Sequence, residues 1–183
     1  MNFNLQSFEP SQSILLENED LIRLYLEELC ENALEDYYQE TNKTRLATDY
    51  TIDGRKIYRS YDIRPEDTPN LTKLLINQGI EPFNYLVSVI LGESDHSFKP
   101  HIDKQRHHSI MFIYKDSSAI TQFFKEIKPK SGFFYNEDEI ELTHSYELTE
   151  GNFYTFNHQI PHGVVNIGPD VRCHVTITLS TID

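Results

Sequence analysis

From residue 83 to the C-terminus the chain repeats one texture. Residues 83–91, 108–114, 120–124, 132–135, 140–146, 152–157, 162–167 and 172–180 are short runs rich in Val, Ile, Tyr, Phe and Thr, most of them separated by turn residues. β-Branched and aromatic side chains suit a pleated surface that is buried on at least one face. No such strand can bury itself alone, so about eight of them must close into a sandwich or small barrel.

The preceding part of the chain differs. Residues 18–38 place Ile22, Tyr25, Leu26, Leu29, Ala33 and Tyr37 at helical spacing, with Asn18 or Asp20 as a possible cap. Residues 48–52 and 56–61 flank Asp53-Gly54, a hairpin turn pair. Residues 68–77 read as a second helix, with Pro69 in the first turn and Gly79 beyond the end. The expected organisation is a single domain over residues 1–183. Residues from about 11 to 80 form a helical supporting layer with a hairpin, and those from about 83 to 183 form a β-barrel.

Charge and cysteine content narrow the classes of function. The chain carries 29 Asp and Glu against 16 Lys and Arg. Such a surface repels phosphate backbones and disfavours general nucleic-acid binding. Two cysteines, Cys30 and Cys173, make neither a disulfide framework nor a zinc-thiolate cluster. The first ten residues lack a basic stretch followed by an apolar one, and no apolar run reaches membrane-spanning length. The expectation is a cytoplasmic protein without a membrane partner.

Three residues draw attention to metal chemistry. In His101-Ile102-Asp103 an extended backbone points both polar side chains to one face. An imidazole nitrogen and a carboxylate oxygen together suit a first-row divalent metal. An isolated pair of this kind is more often a surface histidine beside a solvated aspartate. His162, in Pro161-His162-Gly163-Val164, could supply a third ligand from a late strand, with His158 as its competitor. Two histidines and one carboxylate on one face leave coordination positions open, the facial triad of non-haem iron(II) oxygenases. Arg172 follows ten residues after His162 and opens the last segment, in which His174, Thr176 and Thr178 share its face while Cys173, Val175, Ile177 and Leu179 occupy the other. An arginine pointing into a barrel needs an anion, either a dicarboxylate ligand or an acidic side chain of the chain itself.

His101, Asp103, His162 and Arg172 together resemble the iron(II)- and 2-oxoglutarate-dependent oxygenase superfamily, in particular its prolyl-hydroxylase-like and aspartyl/asparaginyl-hydroxylase-like branches. "KPHIDKQRHHSIMFIY" and "GNFYTFNHQIPHGVVNIGPDVRCHVTITLS" are similar to the two halves of that site, and "TQFF" at 121–124 to its T-x-F strand. The likeness extends from about residue 83 to the C-terminus. It implies a mainly β fold with N-terminal helices, a double-stranded β-helix or jelly-roll barrel of the cupin type. It further implies Fe(II), 2-oxoglutarate as cosubstrate and O2. The expected activity is hydroxylation of an amino-acid or peptidyl side chain, such as proline, with release of succinate and CO2. His101, Asp103 and His162 would hold the metal, and Arg172 the far carboxylate of the cosubstrate. Thr121, Thr176 or Tyr85 could assist Arg172.

The chain also departs from relatives of that pattern. Animal-type prolyl hydroxylases usually have Lys in place of Arg172 and a tyrosine near Leu91-Gly92. Many members carry Ser or Thr where this chain has His174. The nucleic-acid demethylases typically place a second arginine shortly after the first, and none follows Arg172. Halogenases replace the carboxylate with a small residue, whereas Asp103 is present, which points to hydroxylation. Arg106, His107 and His108 could border the pocket entrance or lie in a solvated loop. His96 and His144 read as surface residues, and Cys173 as core packing. The alternatives are a cupin-like metal enzyme that uses no 2-oxoglutarate, whose HxH-plus-Glu motif is missing, and a non-catalytic barrel that binds a ligand. The substrate, small molecule or peptide, and the oligomeric state stay open.

Overall fold

In the computed structural model of the chain, residues 10–39, 47–52, 55–91, 96–104, 106–116, 118–168 and 170–179 are described. The first helix, α1 (Glu19–Gln39), buries Ile22, Leu26, Cys30, Ala33, Leu34 and Tyr37 along one stripe. Those side chains are three or four positions apart, so they line one face and can be buried together. Strands β1 (Ala47–Ile52) and β2 (Arg55–Ile63) pair antiparallel; their connecting turn at Asp53-Gly54 lies outside the described residues. A short 3-10 turn over Pro65–Asp67 leads to α2 (Pro69–Ile76), which Gly79 follows at φ +77°. A backbone in that region favours glycine because it lacks a Cβ.

Eight strands follow: β3 (Pro82–Leu91), β4 (His96–His101), β5 (His108–Lys115), β6 (Ile120–Glu126), β7 (Ile140–Glu147), β8 (Phe153–Asn157), β9 (His162–Ile167) and β10 (Val171–Leu179). Among the described residues they build two sheets. One has the order β1-β2-β3-β10-β5-β8 and the other β4-β9-β6-β7. Every strand pairing is antiparallel. The molecule is a double-stranded β-helix, a jelly-roll barrel with helices packed outside.

Strand periodicity divides the large sheet into two chemistries. Tyr85, Val87 and Val89 of β3, Ile110 and Phe112 of β5, and Cys173, Val175 and Ile177 of β10 join the buried side chains of α1 in one core. Their neighbours at odd offsets face the space between the sheets. There Met111, Ile113, Phe123, Leu148, Tyr154 and Phe156 form a second core. The remainder of that interior is polar and holds Arg172, His174 and Thr176. Cys173 sits in the helix-side core near Cys30, and both thiols are free.

The structure revises three details. Residues 132–135 are not a strand but part of a loop. Ser131 N and Asn136 N both donate to the buried carboxylate of Glu139, at 2.9 and 2.7 Å, which curls the backbone away from any ladder. A strand at 96–101 carries the first histidine of the HxD motif, although its text is too polar to read as β. The hairpin does not belong to a separate supporting layer. It extends the large sheet through β2, which pairs with β3 from Tyr58↔Ile90 to Ile63↔Tyr85.

Candidate metal centre

The two strands that carry the histidines are neighbours. β4 pairs with β9 so that His101 lies opposite His162, and β6 places Phe123 opposite His162 on the other side. Close approach of β4 and β9 depends on Gly163. A Cβ there would lie 2.7 Å from the carbonyl oxygen of Phe98 and 3.3 Å from Pro100 N, inside van der Waals contact.

Each histidine is oriented in the same way. His101 Nδ1–H donates to Lys99 O and His162 Nδ1–H to Ile160 O, both at 2.8 Å. A carbonyl can only accept, so each ring carries its proton on Nδ1 and keeps a lone pair on Nε2. The rings stand 4.7 Å apart between centroids. Burial, then the neighbouring His101, lowers the pKa of His162 to about 3, so it is a neutral donor at ordinary pH.

Asp103 completes the set. One potential ligand atom from each of His101, Asp103 and His162 lies within 4.8 Å of the others. Asp103 Oδ1 is 3.7 Å from His101 Nε2, whereas Oδ2 faces His158 Nδ1 at 2.7 Å and an Arg106 nitrogen at 3.0 Å. Burial alone would raise the Asp103 pKa, but contact with His158 and the charge of Arg106 outweigh it and hold the carboxyl well below its usual range. The result is an ionised carboxylate with one oxygen directed to the histidines and the other engaged. Nitrogen, nitrogen and oxygen donors of this kind suit a first-row divalent cation, so the residues fit the group that the sequence pattern implies.

His158, the competitor for the third ligand position, lies outside this set. It is buried, with Nδ1 against Asp103 and Nε2 accepting from Ser109 Oγ at 2.8 Å. Burial lowers its pKa, with Asp103 opposing. Gln159 next to it donates from Nε2 to Asp103 O at 3.0 Å and to Arg106 O at 2.8 Å, fixing the turn after the HxD motif. Nothing in the text of Gln159 or Ser109 marks them for this work, since both act through backbone or buried contacts that only the fold creates.

A cavity of about 260 Å³ opens beside the triad. Arg106, Met111, Thr121, His158, Arg172, His174 and Thr176 line it, together with Tyr58 and Ser88, whose hydroxyls stand 3.2 Å apart. Tyr58 comes from the hairpin and was not foreseen. Arg172 is 2 % exposed, and among the described residues its Nε and Nη1 have no hydrogen-bond partner. Asp116 Oδ1 is 3.7 Å from Nε, an ion pair too long for a hydrogen bond. Thr121 Oγ1 and His174 Nδ1 are also buried in this cavity without a hydrogen-bond partner among the described residues. Orphaned buried donors are costly, and a cluster of them around a guanidinium is suited to an anion.

Tyr85 does not join this group. β3 turns it to the helix side, where its hydroxyl shares a 2.8 Å hydrogen bond with Thr72 Oγ1. Strand parity explains this, because Ser88 and Ile90 face the cavity and Tyr85 must face away. His107 and His144 are exposed, and the His96 side chain lies outside the described residues.

No protein-family model matches the sequence, and no curated protein matches it. Solved structures do resemble the fold. AviO1 from Streptomyces viridochromogenes Tue57 is similar with a TM-score of 0.60 and 10 % identity, over 93 % of this chain and 87 % of that one. Vicilin from hazelnut (Corylus avellana) gives a TM-score of 0.43 and 14 % identity over 72 % of this chain, which spans 31 % of its length. Oxalate decarboxylase from Bacillus subtilis gives 0.40 and 12 % over 70 %, and the chain spans 27 % of it. At 10 % identity the likeness to AviO1 is one of fold, and the interior of this chain's own jelly-roll barrel gathers a His-Asp-His set able to hold a metal ion.

Proposed function

We propose that this protein is an iron(II)- and 2-oxoglutarate-dependent dioxygenase that hydroxylates an amino-acid or peptidyl side chain. One juxtaposition supports the reading. A His-Asp-His ligand set and a fully buried arginine with two nitrogens lacking a hydrogen bond among the described residues border the same cavity. His101, Asp103 and His162 would hold the iron. Arg172 would hold the far carboxylate of 2-oxoglutarate, with the Thr121 hydroxyl, His174 and Thr176 around it. When bound, iron(II) supplies the O2 activation that no side chain here can provide. The overall reaction balances as substrate, 2-oxoglutarate and O2 giving hydroxylated substrate, succinate and CO2. One oxygen atom enters the C–H bond and the other enters succinate. Two electrons come from the C–H bond and two from the decarboxylated keto acid. The chain's own contribution is geometry. His158 and Arg106 engage Asp103 Oδ2, and the apolar residues Met111, Phe123 and Phe156 limit water around the ligands.

Anaerobic addition of iron(II) and 2-oxoglutarate to the folded protein should produce a weak visible charge-transfer band, and Arg172→Gln should abolish it. A protein that binds iron but shows no band would overturn the reading. The ion pair between Arg172 and Asp116 favours a second one, a cupin-like metal enzyme without 2-oxoglutarate. Calorimetric titration separates the two, because only an oxygenase would bind the cosubstrate in a manner that depends on Arg172.

A further inference from the structure

Two segments lie beside the triad, and each is tied down by hydrogen bonds. In the first, Asp103, Arg106 and His107 are tied to the turn before β9 by Gln159 and by the His158 N to His107 O hydrogen bond of 2.8 Å. The second, residues 131–136, is held from within by Glu139 and is fastened to the ligand strand by Tyr135 N donating to Pro100 O at 2.9 Å. Its tip presents Phe133 and Phe134, 55 % and 41 % exposed. Phe133 stacks on His101 with centroids 6.4 Å apart, and Phe134 meets the same ring edge-on at 6.1 Å. Two adjacent phenylalanines kept in water by a fastened loop, against a metal-ligand histidine, are costly unless something covers them.

Two basic side chains, Lys104 and Arg106, stand beside this ledge, although the chain has a formal net charge of −13. Lys104 Nζ lies 5.8 Å from the Phe133 ring centroid, and Lys130 Nζ 5.3 Å from that of Tyr135. Among the described residues no carboxylate pairs with Lys104. Arg106 lines the cavity and gives one nitrogen to Asp103, leaving other donors of its guanidinium available. A lysine and an arginine next to an apolar ledge offer an anion two cationic partners there.

We propose that the substrate is an organic carboxylate with an apolar body, its carboxylate held by Lys104 and Arg106 and its body laid against Phe133 and Phe134. The proposal rests on the oxygenase reading and deepens it. It favours a free acid, such as an amino acid, over an internal peptide residue, whose carboxyl carbon is already an amide. The cavity holds about 260 Å³ and is shared with Arg172, so only the reacting part of the substrate enters while the rest stays on the Phe133–Phe134 ledge.

The test is a calorimetric titration of zinc-loaded, 2-oxoglutarate-saturated protein with 3-phenylpropanoate and with its neutral amide. The acid should bind at least tenfold more tightly than the amide, and the difference should shrink as salt is raised. Lys104→Gln should weaken the acid about fivefold without affecting the amide, whereas Arg106→Gln, which also releases Asp103, should weaken the acid at least as much. The pair Phe133→Ser and Phe134→Ser, both at exposed positions, should weaken acid and amide alike. Equal binding of acid and amide, or no binding of either, overturns the proposal. So does binding of the acid that is lost only in Arg172→Gln, which would place it in the cosubstrate pocket. Self-association relieved by the Phe133 and Phe134 variants would likewise overturn it, by making the ledge a contact between copies. Failure of the oxygenase reading is visible separately, as a missing iron and 2-oxoglutarate band in protein that still binds the acid at the mouth.

Discussion

His158 Nδ1 stands 2.7 Å from Asp103 Oδ2, the oxygen of that carboxylate turned away from His101. The arrangement leaves Oδ1 for a metal and restrains the carboxylate from rotating. Replacing His158 with Ala should therefore weaken metal binding without removing a ligand. The expected loss is about 10- to 100-fold, the usual scale for a partner that orients a ligand. Titration with Co(II) measures it, and the d–d spectrum reports any change in how Asp103 binds. Unchanged affinity in a folded variant would remove His158 from the positioning role.

Arg172 should show a conflict between stability and binding. A buried guanidinium with two nitrogens that make no hydrogen bond among the described residues is a burden on the protein without its anion. Arg172→Met should leave the metal-free protein as stable as the parent, or more stable by up to about 2 kcal/mol, because buried charges are often replaceable by apolar groups of like volume. The same variant should lose 2-oxoglutarate binding. Denaturant unfolding and calorimetry on one preparation check both. A loss of several kcal/mol would instead mean that the ion pair with Asp116 anchors the fold.

Gly163→Ala should act on both fold and site. The added Cβ would lie 2.7 Å from Phe98 O, a backbone atom that cannot rotate aside. Overpacking of this kind costs about 1–3 kcal/mol. It should also part β9 from β4, moving His162 from His101, so metal affinity should fall with stability. A variant as stable as the parent with unchanged metal binding would show that the strands can shift freely.

Stability of the metal-free protein should fall as pH drops from neutral. His158, His162 and His174 are all buried with lowered pKa values, chiefly through burial, and His162 falls to about 3. Their unfolded values are about 6.5. Between those limits the unfolded chain binds more protons than the native one, so protons favour unfolding. The stabilisation is complete above about pH 6.5 and declines as pH falls towards the folded values, by up to about 1.4 kcal/mol per pH unit for each histidine. Denaturant curves at pH 7 and pH 5.5 test this, and a flat response would contradict it.

Much of this was legible in the chain. The strand texture after residue 83 is what a jelly roll requires. The polar and apolar rows of residues 172–179 correspond to the two sides of β10, cavity and helix core. The HxD motif, the late histidine and the arginine come together in space as their pattern suggests. Other features were hidden because they depend on pairing between distant segments. The spacing to Arg172 and the Gly-Val-Val-Asn run favour His162 over His158 as the third ligand, but what His158 does instead, its contacts with Asp103 and Ser109, depends on the fold. The run at 132–135 reads as β because of its aromatics, but Glu139, several residues later, claims two of the loop's amides. Tyr85 was assigned by residue type and fails by parity alone.

The register that sets His101 opposite His162 has a chemical meaning beyond its place in the sheet. Side chains alternate sides along a strand, so a slip of β9 by one residue would turn His162 outward and present Pro161 or Gly163 in its place. Neither has a side-chain lone pair to offer. A misthreaded barrel of this protein would thus be recognisable by its inability to capture a divalent ion, even if its strands and helices were all formed. Metal uptake then becomes a gauge of correct strand alignment, available without any knowledge of the substrate.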